Sequence, residues 1–238
     1  LEAIQPGGFF YETQGKRRLH FRLPEGKKLA DLKIELPLNE GVFIDSDYVV
    51  LRNLRSIYSQ DDGFAGFWGI GVVLENIEGS YNCDQGISFH GFSTTVIDGG
   101  LFERNGGCGI ADVMRSITVY RNCIIRDNLV TGALLQGHAH KFLNCVFYGN
   151  ADVGKRGPSQ VQAGSGARAE FEHCLFKGSG DTEAGTALSL ENGRMIHCTV
   201  SGFKDGATAS SSLEIISSIL QNCGGRLTSA GKGGKLSI

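Results

Sequence analysis

The chain has 238 residues, of which 41% are hydrophobic and 20% charged, and its formal net charge is −2. This charge excludes the basic face that tight nucleic-acid binding needs, and no apolar run reaches the roughly 18 residues of a membrane span. The 35 glycines, without a collagen period, indicate turns at short intervals. The seven cysteines are an odd number, so they cannot all pair within the chain.

Residues 1–40 differ in pattern from the rest and are predicted to form a lead-in with a β-hairpin. Phe9–Tyr11 and Leu19–Leu23 are interpreted as its two strands, and Glu12–Arg17 as the turn between them. We expect this hairpin to act as a cap, because a stack of repeats otherwise exposes its core at the end.

Residues 41–223 contain an internal repeat of about 23 residues. Four segments share an apolar residue, an asparagine or histidine, a cysteine and a further apolar residue: Tyr120–Ile125, Phe142–Phe147, Phe171–Phe176 and Met195–Val200. The cysteine position extends into a column formed by Leu54, Ile77, Gly100, Cys123, Cys145, Cys174, Cys198 and Ser218. Its first three intervals are 23 residues each, and the later ones are 22, 29, 24 and 20.

Two further columns keep the same register. One consists of the glycines 86, 109 and 132, each of which opens a short apolar segment, and the other consists of Asn82, Asn105, Asn128 and Asn150. Three short strands per coil, with Gly and Asn at the corners, leave no room for the helical crossover of a βαβ unit. The spacing therefore predicts an all-β, parallel β-helix solenoid of about eight coils.

The cysteine and asparagine columns are interpreted as structural. An inward stack of small apolar thiols fits the core, and parallel neighbours hold their Cβ atoms too far apart for a disulfide, so we expect mostly free cysteines. Zinc ligands would converge on a point instead of lying along a line. The asparagine amides are expected to bond backbone groups at the corners. Beyond the repeat, residues 224–238 are either a tail or a truncated final coil.

The coils Val73–Phe89, Val96–Ile110 and Val119–Leu135 resemble those of the pectate-lyase-like right-handed β-helix superfamily, over roughly residues 41–223. Phe9–Pro24 also resembles a lead-in found before β-helix domains of carbohydrate-active proteins. The resemblance implies a right-handed, single-stranded parallel β-helix with an N-terminal hairpin cap. It also implies a polysaccharide or oligosaccharide partner and a secreted or periplasmic location.

Superfamily members include polysaccharide lyases, glycoside hydrolases, epimerases and non-catalytic adhesins, so the resemblance leaves the activity open. We expect cleavage of a polysaccharide, acidic or neutral, by lyase or hydrolase chemistry; the alternatives are a non-catalytic carbohydrate-binding module and a fragment of a larger enzyme. Asp61-Asp62 and Gly137-His138 resemble part of the polygalacturonase motifs. Ala139 replaces the second glycine, however, and the Arg-x-Lys motif is missing, so those roles are not transferred.

The strand that begins at Gly86, Gly109 and Gly132 is predicted to carry the substrate groove. The 29-residue interval places extra residues near Ala151–Gly157, and a second loop, Ser179–Gly185, lies one coil further on; both are expected to form the groove wall. The enzyme hypothesis requires four catalytic candidates to cluster there, namely Asp84, His90, Asp112 and His138. Asp112 has an inward register, so it needs either a β-bulge that turns it outward or a paired, buried state.

The remaining site candidates are ligands for metal or sugar. Asp61 and Asp84 share a column and Asp62 is adjacent, which fits a Ca²⁺ site, an acid/base pair or solvated turn residues. No other cofactor is expected. Five residues are candidates for substrate binding: Gln136, Arg115, Lys155, Arg156 and Trp68. The cations would bind an acidic sugar, and Trp68 would either stack on a sugar ring or cap the core.

Overall fold

The computed structural model describes residues 9–11, 19–33, 37–150, 159–178, 185–223, 227–229 and 235–237. It confirms the predicted fold class, an all-β right-handed parallel solenoid. The described helix is one short 3₁₀ turn, Leu29–Asp31, and no helix in the described part of the chain has the length and hydrophobicity of a membrane span.

The chain divides into two units, Leu1–Leu36 and Pro37–Ile238. In the first, strands β1 (Phe9–Tyr11) and β2 (Leu19–Phe21) pair antiparallel, as expected for the hairpin. The predicted turn at 12–17 lies outside the described residues, and the capping role and the domain boundaries remain predictions.

In the second unit the strands pair in parallel from turn to turn and form three ladders. Ladder A contains β3 (Val42–Ile44), β5 (Phe64–Phe67), β7 (Ile87–His90), β9 (Ile110–Asp112), β12 (Ala133–Gln136), β15 (Ser159–Gly164), the first parts of β18 (Thr186–Ile196) and β20 (Asp205–Ile216), and β22 (Leu227–Ser229). Ladder B contains the first parts of β4 (Val50–Ile57), β6 (Val72–Ser80) and β8 (Thr94–Glu103), then β10 (Ile117–Arg121), β13 (Ala139–Leu143), β16 (Arg168–Glu172), the second parts of β18 and β20, and β23 (Lys235–Ser237). Ladder C contains the second parts of β4, β6 and β8, then β11 (Ile124–Arg126), β14 (Val146–Tyr148), β17 (Leu175–Lys177), β19 (Thr199–Ser201) and β21 (Ile219–Gln221).

The core is a set of inward columns in which like residues stack. Because successive side chains in a strand point to opposite faces, one register fixes the inward set in every turn. On ladder B the rings of Tyr120, Phe142 and Phe171 stack with centroids 5.0 and 5.2 Å apart. On ladder C, Phe147 and Phe176 stack at 5.1 Å. All five rings are fully buried, which anchors the turns to one another.

The cysteine column faces inward, as predicted, and all seven cysteines are free. Cys123, Cys145, Cys174 and Cys198 are buried, and a hydrogen bond with the Cys145 thiol, together with burial, raises the pKa of Cys174 to about 12. These thiols therefore remain protonated and act as small core side chains.

The asparagine column is also confirmed as a ladder. The Nδ2 atom of Asn82 donates to Oδ1 of Asn105 at 3.1 Å, and the same bond links Asn105 to Asn128 and Asn128 to Asn150 at 2.8 Å. Asn150 continues the chain by donating to Oε1 of Gln160 at 2.7 Å. Each amide also satisfies backbone groups of adjacent turns, which closes this corner of the solenoid.

Candidate functional site

The predicted groove strand is ladder A, whose outer side carries the candidate site. In β7, Ile87 and Phe89 are buried in the core, so Ser88 and His90 project from the opposite face. The loop that enters each ladder A strand comes from ladder C. That loop supplies the acidic side chains before β5 and β7, next to the outward residues of both strands.

Three carboxylates meet in this loop region. One oxygen each from Asp61, Asp62 and Asp84 lies within 4.8 Å of the others. Asp62 is 7% exposed, and its Oδ1 accepts a hydrogen bond from the backbone N–H of Gln85 at 3.0 Å. Burial raises the pKa of Asp62 to about 7, with a smaller increase from the charges of Asp61 and Asp84. Burial and Asp61 also raise the pKa of Asp84.

This arrangement suits a hard divalent cation, because the donors are all carboxylate oxygens. The cluster leaves no space for a larger neighbour on the following turn: a Cβ atom at Gly107 would lie 2.2 Å from Oδ1 of Asp84. The three predicted metal ligands are therefore brought together by the fold, and their mutual repulsion is unrelieved by any described cationic side chain, since no ion pair involves them.

A serine and a histidine extend the cluster along β7. Oγ of Ser88 lies 2.6 Å from Nε2 of His90, and the Ser88 hydroxyl opposes the rise in the pKa of Asp62. Phe67 stacks on the imidazole of His90, with ring centroids 4.7 Å apart and planes 5° apart. Burial lowers the pKa of His90, against the opposing effect of Asp61. His90 is therefore poised as a neutral imidazole beside the acids.

Ser88 belongs to the site although its sequence context carries no motif. Its register, on the outer side two residues before His90, was evident from the repeat. Its effect on the pKa of Asp62 was not, because Asp62 belongs to the loop of the preceding turn. Phe67 is likewise recognisable only through the pairing of β5 with β7, where it lies opposite His90.

Trp68 follows β5 and is 65% exposed, so it does not cap the core. Its indole lies over Gly91 of the next turn, where a Cβ atom would be 2.8 Å from the ring. Gly91 has a φ of +73°, a conformation that also favours glycine. Arg115 is exposed at the same corner, where its backbone N–H donates to the carbonyl of Gly91 at 3.0 Å. One face of the indole thus remains available to a ligand.

Asp112 is not part of this surface, and the prediction that it joins the groove is wrong. No bulge is present: Asp112 aligns with Phe89 and Leu135 in the inward register and has zero exposure. Its Oδ2 accepts a hydrogen bond from the Tyr120 hydroxyl at 2.9 Å and lies 2.8 Å from Oγ1 of Thr118. Burial raises its pKa to about 7. The alternative, a buried and paired carboxylate, is the correct interpretation.

His140 completes this interior network. Its Nδ1 lies 2.9 Å from Oγ1 of Thr118 and 3.8 Å from Oδ2 of Asp112, and its Nε2 lies 3.3 Å from the carbonyl of Gln136. Burial lowers the pKa of His140 to about 4. A hydroxyl therefore bridges an acid and an imidazole inside the solenoid, where no substrate reaches.

The other predicted site residues are dispersed. His138 is exposed at the corner after β12, two turns beyond His90 along the ladders. At about 4.8 Å per turn, that separation removes it from the acidic cluster. Gln136 faces outward on β12, in the same turn as His138. Lys155 and Arg156, with the predicted walls at 151–157 and 179–184, lie outside the described residues. The four catalytic candidates therefore do not form one cluster, because Asp112 lies in the core and His138 lies two turns beyond His90.

A groove of about 600 Å³ lies on a different face, the outer side of ladder B between β10 and β20. Its charged residues neutralise one another: Lys141 pairs with Glu170 at 2.7 Å, and Arg194 pairs with Glu214 at 2.6 Å. Exposed pairs of this kind contribute little to stability and leave few free donors. The chemistry is therefore concentrated on ladder A, although this concave surface is on ladder B.

Solved structures with a similar fold include two carbohydrate-related proteins. Pectate lyase Pel9A matches with a TM-score of 0.59 and 10% identity, over 75% of this chain and 52% of that chain. The A-module of the mannuronan C-5 epimerase AlgE4 from Azotobacter vinelandii matches with a TM-score of 0.54 and 14% identity, over 81% of this chain and 58% of that chain. The chain thus spans little more than half the length of these structures, and the likeness concerns the fold.

Sequence comparison supports the same assignment. A search of curated proteins found no significant match. The family model described as the right handed beta helix region matches residues 26–160, more than half of the 238-residue chain. With its three parallel ladders and continuous asparagine ladder, the chain belongs to the right-handed β-helix family.

Proposed function

We propose that this protein is a polysaccharide lyase that acts on an acidic glycan along the outer face of ladder A. The observation that carries the proposal is the convergence of Asp61, Asp62 and Asp84 beside the neutral imidazole of His90. The names of the two structural neighbours, a pectate lyase and a mannuronan epimerase, support a polysaccharide substrate on this fold.

The acidic cluster serves as the cation-binding half of the site. Three carboxylates within 4.8 Å would hold Ca²⁺ through oxygen atoms, and the ion would relieve their repulsion. When bound, Ca²⁺ attracts a uronate carboxylate and increases the acidity of the adjacent C–H bond. Without such an ion, three clustered acids would repel an anionic glycan, so the cluster and the proposed substrate require each other.

His90 serves as the base. In β-elimination it takes the proton from the carbon next to the uronate carboxylate. The electron pair of that C–H bond forms a carbon–carbon double bond, and the glycosidic C–O bond breaks with its electrons on the leaving oxygen, which is protonated from water. A base needs to be unprotonated in the resting state, and the lowered pKa of His90 meets this condition. Trp68, which is largely exposed, offers an apolar face for a sugar ring.

A second candidate is a glycoside hydrolase, which one observation favours. Glycosidases use a protonated acid next to an ionised carboxylate, and the pKa of Asp62 is raised to about 7 while Asp61 and Asp84 lie alongside. In that case Asp62 would protonate the leaving oxygen, and one of its neighbours would act as nucleophile or base. Bound Ca²⁺ would oppose this chemistry, because it favours the ionised form of Asp62.

The test is an activity screen of the whole chain against uronate and neutral glycans, with CaCl₂ or with a chelator. A lyase yields products with the ultraviolet absorbance of an unsaturated uronate, whereas a hydrolase yields new reducing ends without it. His90→Ala is expected to lower the turnover rate by about 100-fold or more. The matched control is His138→Ala, which removes an exposed histidine two turns away. Binding without turnover across the panel would replace the enzyme proposal with a non-catalytic carbohydrate-binding module.

A further inference from the structure

We propose that Tyr48 and Trp68 form a two-ring platform that binds the sugar rings of a glycan chain at the corner between ladders A and B. This inference rests on the proposed function, because it takes the proposed substrate as the ligand. It goes beyond that function by adding a binding surface at the end of the ladder A strands, whereas the acidic cluster lies in the loops before them.

Both aromatic residues lie at the same corner in successive turns. Tyr48 comes after β3 and Trp68 directly after β5, and their backbone N–H groups donate to the carbonyls of Ile70 and His90 in the next turn. Tyr48 is 78% exposed and Trp68 is 65% exposed. A single exposed aromatic residue needs no explanation, but two at one corner indicate a surface that receives a ligand.

Each ring lies against a glycine of the next turn. A Cβ atom at Gly71 would be 2.8 Å from Cδ1 of Tyr48, and one at Gly91 would be 2.8 Å from Cδ2 of Trp68. Both glycines have a left-handed backbone, with φ of +69° and +73°, which disfavours any side chain there. The backbone therefore supports one side of each ring, and the exposed side remains available for contact.

An exposed tyrosine at the corner after ladder C is arranged differently. Tyr58 is 61% exposed, but its ring centroid lies 5.5 Å from that of Tyr81, and the guanidinium of Arg104 lies over the ring of Tyr81. In the described part of the chain, neither Tyr48 nor Trp68 has an aromatic or cationic partner of this kind. The protein therefore leaves these two rings to an external partner.

The chemistry of the platform fits a chain of sugars. The C–H groups on one side of a sugar ring are slightly positive, and they pack on the negative face of an aromatic ring. Tyrosine and tryptophan lose little conformational entropy on binding, because they have two side-chain torsions. Tyr48 and Trp68 belong to neighbouring turns, which are about 4.8 Å apart along the axis, so that a linear chain contacts both rings.

The charged residues of the corner fit a uronate chain. Arg115 is exposed, its backbone N–H donates to the carbonyl of Gly91, and no ion pair of Arg115 occurs among the described residues. Its guanidinium supplies a positive charge for a sugar carboxylate on the Trp68 side of the platform. Asp45 and Asp47 are exposed just before Tyr48, where carboxylates accept hydrogen bonds from sugar hydroxyls.

The experiment is a fluorescence titration, because Trp68 is the single tryptophan of the chain. The full chain with His90→Ala, which keeps a cleavable glycan intact, is titrated in CaCl₂ with the tetrasaccharides of galacturonate, mannuronate and glucose. We expect a saturable change in emission and protection from acrylamide quenching with a uronate tetrasaccharide. The corresponding monosaccharide is expected to bind about tenfold more weakly or worse, because it contacts one ring.

Three further variants in the same background test the second ring. Tyr48→Ala is expected to weaken binding of the tetrasaccharide by about 5- to 10-fold, with the monosaccharide titration unchanged. Tyr48→Phe is expected to bind within about twofold of its parent, because the ring face is kept. Tyr58→Ala is the matched control, since it removes an exposed tyrosine from the other corner, and its affinity is expected to stay unchanged.

Two results would overturn the inference. The first is unchanged emission of Trp68 with all three tetrasaccharides, which would leave this corner to a protein partner. The second is equal affinity in Tyr48→Ala and Tyr58→Ala. Cleavage of a glycan by the wild type without any response of Trp68 to that glycan in His90→Ala would refute the platform alone. Binding with the expected loss in Tyr48→Ala, but without turnover by the wild type, would refute the lyase proposal alone.

Discussion

The solenoid contains the same three chemical groups twice, once on its surface and once in its core. On the outer side of ladder A, the Ser88 hydroxyl lies 2.6 Å from Nε2 of His90, and the Asp62 carboxylate belongs to the loop of the preceding turn. In the core, the Thr118 hydroxyl links Asp112 to His140. The two groups of residues differ in the face of the strand that they occupy, because alternate residues of a strand point to opposite sides. The position in the strand, and not the residue type, therefore decides which of the two groups a substrate can reach.

The outer and inner groups differ in the charges and hydrogen-bond partners around their carboxylates. The outer carboxylate has two further acids beside it, whereas Asp112 has the Tyr120 and Thr118 hydroxyls instead. In the core, burial raises the pKa of Asp112 to about 7 and lowers that of His140 to about 4. Both directions favour a neutral acid and a neutral imidazole, because a dry interior disfavours charge.

The largest expected difference is in stability. Asp112→Ala would leave the hydroxyls of Thr118 and Tyr120 without their acceptor and open a void in the core. We expect it to lower the free energy of unfolding by about 3 kcal/mol or more, as measured by urea denaturation. Asp84→Ala on the surface is the matched control, with an expected change below about 1 kcal/mol. Equal losses in the two variants would contradict the distinction between core and surface.

The pH dependence of stability offers the next contrast. With its pKa raised from 3.8 to about 7, Asp112 binds more protons folded than unfolded, and its contribution to stability falls as the pH rises through this window. With its pKa lowered from 6.5 to about 4, His140 binds fewer protons when folded, and its contribution rises with pH from 4 to 6.5. In the wild type the two slopes cancel over much of this range.

Single variants should separate these slopes. Relative to the wild type, Asp112→Asn is expected to gain stability as the pH rises from 4 to 6.5, and His140→Gln is expected to lose it over the same range. Urea denaturation at a series of pH values measures both. If stability relative to the wild type changed in the same direction with pH in both variants, the opposite pKa shifts of Asp112 and His140 would be contradicted.

A smaller effect is expected from calcium. If the outer acids hold Ca²⁺, saturating CaCl₂ should raise the free energy of unfolding of the wild type by about 1–3 kcal/mol, measured as a shift in Tm. Asp61→Asn should remove most of this gain and be no less stable than the wild type without calcium, because it relieves repulsion. Asp112→Asn should keep the calcium response, since Asp112 is enclosed in the core. A calcium response that survives Asp61→Asn would place the ion elsewhere.

The smallest effect on stability is expected for Trp68→Ala. The side chain is 65% exposed, so the free energy of unfolding should change by less than about 0.5 kcal/mol. Affinity for a glycan should nevertheless fall by about tenfold, because the stacking face is lost. Calorimetric titration measures the affinity, and Met114→Ala, also exposed at this corner, is the control. Unchanged affinity in Trp68→Ala would remove the indole from the binding surface.

The repeat made the fold predictable to the level of individual columns. The inward cysteines, the asparagine ladder and the inward register of Asp112 all follow from spacing alone, because parallel pairing transmits one register from turn to turn. The bulge considered for Asp112 failed because Thr118 and Tyr120, which both hydrogen-bond to its Oδ2, come from another ladder. A single strand does not reveal such a partner.

The site was predictable only in part for the same reason. Asp61, Asp62 and Asp84 were placed together because they share the repeat, and the structure brings them together. The short contact between Ser88 and His90 depends on side-chain direction, which the repeat does not fix. His138 belongs to the same kind of corner as Trp68, and the column of glycines 86, 109 and 132 already places it two turns beyond His90.

The asparagine ladder has a consequence for how such proteins diversify. Asn150 and Gln160 are hydrogen-bonded although residues 151–159 lie between them in sequence. A longer side chain thus restores the rung after an insertion, and β15 still pairs with β12. This corner can therefore take a loop of different length and charge next to ladder A, while the following turns keep the register of the preceding ones.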